Sequence, residues 1–302
     1  MKNAFSTFRG VLPALITPFT LDGEVDVAKM RTFLKFLVPQ VHGLFACGSY
    51  GSGPLMNVAQ RKLAAEIVVQ EVAGRIPVLL HVGAADTQTT IDLAKQGESV
   101  GASAIACLTP YYYLHDFKTV AEHFRRVIAA VSIPVFCYHN PKYTNFGSFT
   151  PAQLAELAEM GLAGLKDSSA NITFFYDSVS AVKKPDFCFL VGSQTLLLPA
   201  MLGGGHGCVS GLSNLFPRLV NKIYESVLKG DVATALEYQR KVNTLRKMTG
   251  EGIPVPFYHL ALKLRGIDIG VPKAPHLPLS ATDEERIRQP ILDAMKLEES
   301  LA

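Results

Sequence analysis

The chain has 302 residues, 48% of them hydrophobic and 18% charged, with a formal net charge of +3. That length suits one (β/α)8 barrel with an appendage better than two average domains, and the composition excludes extensive disorder. Lys and Arg are scattered among Asp and Glu without a basic block or aromatic-basic stripe, which argues against nucleic acid as a partner.

The N-terminal run MKNAFSTFRGVLPALITPF is apolar but holds Pro13 and Pro18 and lacks a small-residue cleavage site. It therefore reads as leading into a strand, not as a signal peptide. No stretch approaches the apolar length of a membrane span, so no membrane partner is expected and the expected location is the cytoplasm. From there, short runs rich in Val, Ile, Leu and Phe recur at roughly thirty-residue intervals, each followed by a segment of helical periodicity. They are VLPALIT from Val11, GLFACG from Gly43, IPVLLHVG from Ile76, SAIACLT from Ser103, IPVFCYH from Ile133, LAGLKD from Leu162, DFCFLVG from Asp186 and HGCVSG from His206. Runs apolar on both faces, alternating with amphipathic helices, predict a parallel sheet covered by helices, because a parallel connection needs a long crossover. No side-chain pattern repeats from unit to unit as a solenoid requires. The expectation is thus an α/β protein, a (β/α)8 TIM barrel, with an open doubly wound sheet as the alternative.

Between the strands, Asp86 or Thr87 caps a helix that Gly101 ends, and Thr150 caps a helix with Pro151 at its first position. After Asn214 the strand signal stops. LFPRLVNKIYESVLKG completes the barrel, and DVATALEYQRKVNTLRKM and PVPFYHLALKLRG form a C-terminal helical extension. A Pro-rich loop over 266–278 follows, then a last helix begun by Thr282 or Asp283. The boundaries predicted are 1–229 for the barrel and 230–302 for the helical domain. Cys47, Cys107, Cys137, Cys188 and Cys208 are widely spaced with no C-x-x-C pair, so buried thiols are expected in preference to metal ligands or disulfides.

In such a barrel the reacting groups come from the C-terminal ends of the strands. Lys166 ends LAGLKD, where apolar walls would lower its pKa and free the amine to attack a ketone; otherwise it is a solvated lysine or a partner of Asp167. Tyr138 ends the preceding strand and can reach the same cavity as a proton shuttle, or else serves as a core tyrosine. The glycines of GSYGSGP, starting at Gly48 with Ser49 and Ser52, can turn N–H groups toward a carboxylate or phosphate, though the lysine of a P-loop is missing. Tyr111, Tyr112 and Tyr113 suit a cavity rim or a subunit contact.

In order and spacing, GVLPALITPF with DGEVD, GSYGSG, LTPYYY, YHNP, GLKDSS and GGGHGCVSGLSN resemble the dihydrodipicolinate synthase and N-acetylneuraminate lyase superfamily over nearly the whole chain. The resemblance implies a barrel with a C-terminal helical domain, commonly a homotetramer, and class I chemistry on pyruvate or another 2-oxo acid and an aldehyde, without metal or cofactor. By position, Lys166 matches the Schiff-base lysine and Tyr138 the proton-shuttling tyrosine. Ser49 and Tyr50, beside Gly48, fall where the family holds the pyruvate carboxylate. Tyr112 matches a tyrosine that reaches a neighbouring subunit's site, and Thr17 and Ser210 lie on the first- and eighth-strand motifs at the mouth. Several positions depart. Tyr50 replaces a threonine and Ser52 a glutamate, and Tyr143 stands where synthases place an arginine, with Lys142 one residue away. Gln194 and Thr195 stand where sialate lyases carry acids. Those departures argue against both archetypes and for a different aldolase branch. Dehydration or hydration of a 2-keto-3-deoxy acid through the same Schiff base, and a 2-oxo acid sensor that has lost turnover, are the alternatives.

Overall fold

The computed structural model describes residues 7–249 and 254–301. Eight parallel strands, β1 (Gly10–Pro13), β2 (Leu44–Ala46), β3 (Val78–His81), β4 (Ala104–Cys107), β5 (Val135–His139), β6 (Gly164–Asp167), β7 (Cys188–Val191) and β8 (Gly207–Ser210), follow one another around a sheet in chain order. β1 pairs with β8 along its whole length, and the ring closes on its other side where Ala14 bridges Phe45 and Leu15 N–H donates to the Phe45 carbonyl at 2.9 Å. Each strand lies in one of the predicted apolar runs, except that β1 starts one residue earlier, at Gly10. The (β/α)8 barrel is therefore what the alternation of fully buried strands and amphipathic helices produces.

The helices are α1 (Val27–Leu37), α2 (Val58–Val72), α3 (Thr87–Ser99), α4 (Phe117–Ala129), α5 (Pro151–Glu159), α6 (Ile172–Ala181), α7 (Leu197–Leu202) and α8 (Pro217–Leu228), one after each strand. Six of them open on an Asp, Asn or Thr whose side chain accepts from the third helical N–H: Asp26, Asn57, Asp86, Asp116, Thr150 and Asn171. These caps satisfy donors that would otherwise be orphaned at the mouth of the barrel and hold the βα loops in one conformation. Between the two options predicted for α3 the cap is Asp86, and Gly101 follows the helix at φ +93.

Two layers of core separate cleanly. Phe8, Leu12, Phe45, Leu79, Phe136, Leu190 and Val209 fill the barrel, and a larger apolar layer lies between strands and helices. Burying each such side chain contributes about 1.5–3 kcal/mol. Gly164 is needed for this packing, since a Cβ there would stand 2.3 Å from the Phe136 ring. All five cysteines are buried free thiols, as expected. Among the described residues no helix is long and apolar enough to cross a membrane.

Past the barrel come α9 (Val232–Lys247), α10 (Val255–Leu264) and α11 (Ala281–Glu299). α9 leans over the loop after β7: Gln239 accepts from Leu198 N–H and donates to the Gln194 carbonyl, both at 2.9 Å. The predicted Pro-rich loop is pinned to the mouth, with Val271 N–H donating to the Phe19 carbonyl at 3.1 Å. α11 begins one or two positions earlier than Thr282 or Asp283 would place it. Ser280 is the cap and Asp283 closes a capping box from the third position, a role that from sequence resembles the cap itself.

At its far end α11 places Glu298, fully buried, so that both carboxylate oxygens accept from the first turn of α8, Arg218 N–H and Leu219 N–H at 2.8 Å each. One side chain thus caps a barrel helix from the far end of the chain. Glu298→Ala should lower stability by about 1–3 kcal/mol, the cost of leaving such amides unsatisfied, with Glu298→Gln intermediate. Chemical denaturation measures this; an unchanged midpoint and slope for Glu298→Ala would show that the cap contributes nothing.

Candidate active site

β5 and β6 are paired so that Tyr138 stands opposite Lys166 and His139 opposite Asp167. Side chains alternate along a strand, so the first pair faces the barrel interior and the second the helices. Lys166 is 4% exposed and Tyr138 3%. The Lys166 Nζ lies 3.4 Å from the centre of the Tyr138 ring and 4.3 Å from that of Phe45. Gly48 makes this wall possible. A Cβ on it would meet the Phe45 ring at 2.3 Å, so the position requires glycine.

The Tyr138 hydroxyl shares a 3.2 Å hydrogen bond with Ser49 Oγ and accepts one of 2.9 Å from Asn140 Nδ2. Burial alone would raise the phenol's pKa. The Lys166 charge and hydrogen bonds from Ser49, Lys166 and Asn140 outweigh burial and leave it below the usual tyrosine value. For Lys166 burial dominates and lowers the amine, while Tyr138 and Asp167 pull back in part. Both groups are thus held below their usual values and interact with one another, as expected of a pair that exchanges a proton. Behind the sheet, His139 Nδ1 and Asp167 Oδ1 are 2.8 Å apart, both 2% exposed, and Ser169 donates to the same carboxylate through N–H and Oγ, each at 3.0 Å. Asp167 is therefore committed to the outer face, and among the described residues no carboxylate pairs with Lys166 inside the barrel.

The loop after β2 is drawn tight by Gly53 N–H donating to the Gly48 carbonyl at 3.0 Å and Ser52 N–H to Ser49 at 3.2 Å. Among the described residues no backbone carbonyl accepts from the Ser49 or Tyr50 N–H. Tyr50 crosses the mouth to lie on Gly211, with its ring 5.5 Å from that of Tyr258 in α10. Burial there pushes its phenol up to about 12.

These elements enclose a cavity of about 210 Å³. Of the residues expected in the site, Lys166, Tyr138, Ser49, Tyr50 and Tyr143 line it. Four others do not. Thr17 is buried against Gly51, Ser210 Oγ accepts from Ser213 N–H at 3.0 Å, Gly48 backs onto Phe45, and Tyr112 is 76% exposed at φ +88. A second, more apolar cavity of about 270 Å³ adjoins the first through Ser49 and Tyr143 and reaches Leu108, Tyr111, Pro275 and His276. Sequence reasoning missed Asn140, Ser168 and Arg246 in the first cavity. Asn140 and Ser168 sit inside the YHNP and GLKDSS motifs and were within reach. Arg246 belongs to α9, and nothing local marks it.

The sequence profile of the Dihydrodipicolinate synthetase family matches residues 7–294. The chain is 36% identical over 286 residues to an uncharacterized DapA-like lyase of Halobacterium salinarum, covering 94% of this chain and 93% of that one. It is 35% identical to a 4-hydroxy-tetrahydrodipicolinate synthase of Afipia carboxidovorans, covering 97% and 98%. Among solved structures, the prophage protein YagE of E. coli K12, a dihydrodipicolinic acid synthase family member in complex with pyruvate, superposes with a TM-score of 0.90 at 27% identity, covering 95% of this chain and 99% of that one.

Proposed function

The chain belongs to the dihydrodipicolinate synthetase family of lyases, and from that premise we propose that Lys166 forms a Schiff base with pyruvate or another 2-oxo acid, for aldol addition to an aldehyde or its reversal. The observation that carries this reading is the buried Lys166 amine stacked 3.4 Å over Tyr138, whose hydroxyl is tied to Ser49. Nζ bonds to the ketone carbon, and the carbonyl oxygen leaves as water after accepting protons. Tyr138 is placed to deliver and recover them, with Ser49 in contact. Loss of a proton from C3 then gives the enamine that attacks the aldehyde carbon. The Ser49 and Tyr50 N–H groups, which donate to no backbone carbonyl among the described residues, are the donors proposed for the substrate carboxylate. Borohydride reduction in the presence of pyruvate, followed by mass mapping, tests the reading: the adduct is expected on Lys166.

In the same reading the working form is a homotetramer in which Tyr112 serves a neighbouring subunit's site, supported by its exposure and its absence from its own subunit's cavity. The aldehyde is not aspartate semialdehyde. Tyr143, where synthases place an arginine, lines the cavity without a charge, and losing a charge-assisted contact costs about 1.5–3 kcal/mol, or roughly one to two decades in kcat/KM. Steady-state assay with pyruvate should show weak turnover at best; efficient condensation would refute the assignment of Tyr143.

A further inference from the structure

The second cavity, of about 270 Å³, takes no part in Schiff-base formation, and its walls are of a different kind. Pro54 and Leu55 come from the segment after β2, Leu108 and Tyr111 from the loop after β4, and Pro275 from the Pro-rich loop of the C-terminal extension. Among the described residues no Asp, Glu, Lys or Arg lines it. Tyr143 forms part of the wall, and burial holds its phenol above the usual tyrosine value, so the ring stays neutral.

The cavity is built, not left over. On one side Lys273 Nζ donates to the Gly23 carbonyl at 2.6 Å and His276 N–H to the Lys273 carbonyl at 3.1 Å, which fixes Pro275 and His276 at the mouth. On the other, Ser52 takes a left-handed conformation at φ 56 and is 2% exposed, and its Oγ has no hydrogen-bond partner among the described residues. A buried hydroxyl without a partner is costly unless a ligand supplies one, and this residue lines the cavity. Ser49 and Tyr143 line both cavities, and Ser49 Oγ shares its hydrogen bond with the Tyr138 hydroxyl. An aldehyde that presents its carbonyl to Lys166 and Tyr138 can therefore extend its substituent past Ser49 into the second space.

We propose that the aldehyde partner carries an uncharged, mainly apolar substituent, an alkyl or aryl group of several carbons, which lies in the second cavity against Leu55, Leu108 and Tyr111, with Ser52 Oγ available to one polar atom on it. This deepens the Schiff-base reading and rests on it. Moving such a group out of water is favourable in proportion to its area, whereas a carboxylate in the same place would lose its hydration with no matching cation among the described lining residues.

The test uses the full chain with pyruvate and straight-chain aldehydes from acetaldehyde to hexanal. kcat/KM should rise about fourfold for each added methylene, the worth of burying one such group, until the cavity is full. 5-Oxopentanoate, with a carboxylate where pentanal has its terminal methyl, should be at least about tenfold poorer than pentanal. Leu55 is 36% exposed and so open to substitution: Leu55→Asp should flatten the dependence on chain length, and Leu55→Met, similar in volume and also apolar, should keep it. A flat series, no turnover with any of these aldehydes, 5-oxopentanoate used as well as pentanal, or a slope that survives Leu55→Asp overturns the proposal, and a flat series leaves the cavity to a contact between copies of the chain. Borohydride trapping of pyruvate alone is run on each protein: adduct on Lys166 without the chain-length dependence defeats this inference only, and absence of the adduct defeats the Schiff-base reading with it.

Discussion

Lys166→Ala is expected to abolish pyruvate-dependent borohydride trapping and to lower turnover by several orders of magnitude, because among the described residues Lys166 supplies the amine over the Tyr138 ring, whereas Lys142, the other lysine of the cavity, lies by Tyr143. Lys166→Arg should be as inactive, since a guanidinium stays protonated and has no lone pair to offer a ketone. Neither variant should unfold the protein. The Lys166 ammonium is buried against two aromatic rings without an internal carboxylate, so its removal relieves a desolvation cost. The pH dependence has a definite sign. Burial holds the amine below the usual lysine value, and only the free base attacks, so the rate of adduct formation should rise with pH and level off below the pH where an exposed lysine titrates. Trapping across pH with peptide mapping checks both points; an adduct on another lysine would falsify the assignment.

Tyr138→Phe should leave the fold intact and cost about a hundred- to ten-thousandfold in turnover, the usual worth of positioned acid-base catalysis. The ring packs edge-on against Phe45 and His81, contacts that phenylalanine retains. What is lost is the hydroxyl that Asn140 donates to and Ser49 shares, worth about 1 kcal/mol of stability. Schiff-base formation should slow as well, because expulsion of water from the carbinolamine needs a proton donor. Turnover and melting temperature measured together decide the matter. Intact turnover with a drop of many degrees would make Tyr138 a core tyrosine and send the search for the proton relay to Tyr112.

Much of this site is legible in the chain because barrel geometry is periodic. Strands buried on both faces show as short apolar runs whatever lies between them, and the residue that ends each run is at the mouth. Lys166 and Tyr138 could be located this way, since neighbouring strands of the barrel put their last residues side by side. The side-chain roles that depend on which way a loop turns were harder. Gly48 and Ser210 sit on motifs at the mouth, and only the structure shows that one makes room for Phe45 and that the other accepts from Ser213 N–H.

The sequence by itself determined the strands, the Asp86 and Thr150 caps, the buried thiols and the lysine and tyrosine that face each other, all of them features set within a few residues or by the fixed repeat of strand and helix. Only the tertiary structure decided that Tyr50 lies against Gly211 and Tyr258, that Glu298 caps α8, and that Arg246 joins the cavity. Each of those contacts joins elements far apart in the chain. Its geometry is set by how the C-terminal helices pack across the barrel, and that packing direction leaves no periodic mark in the order of the amino acids.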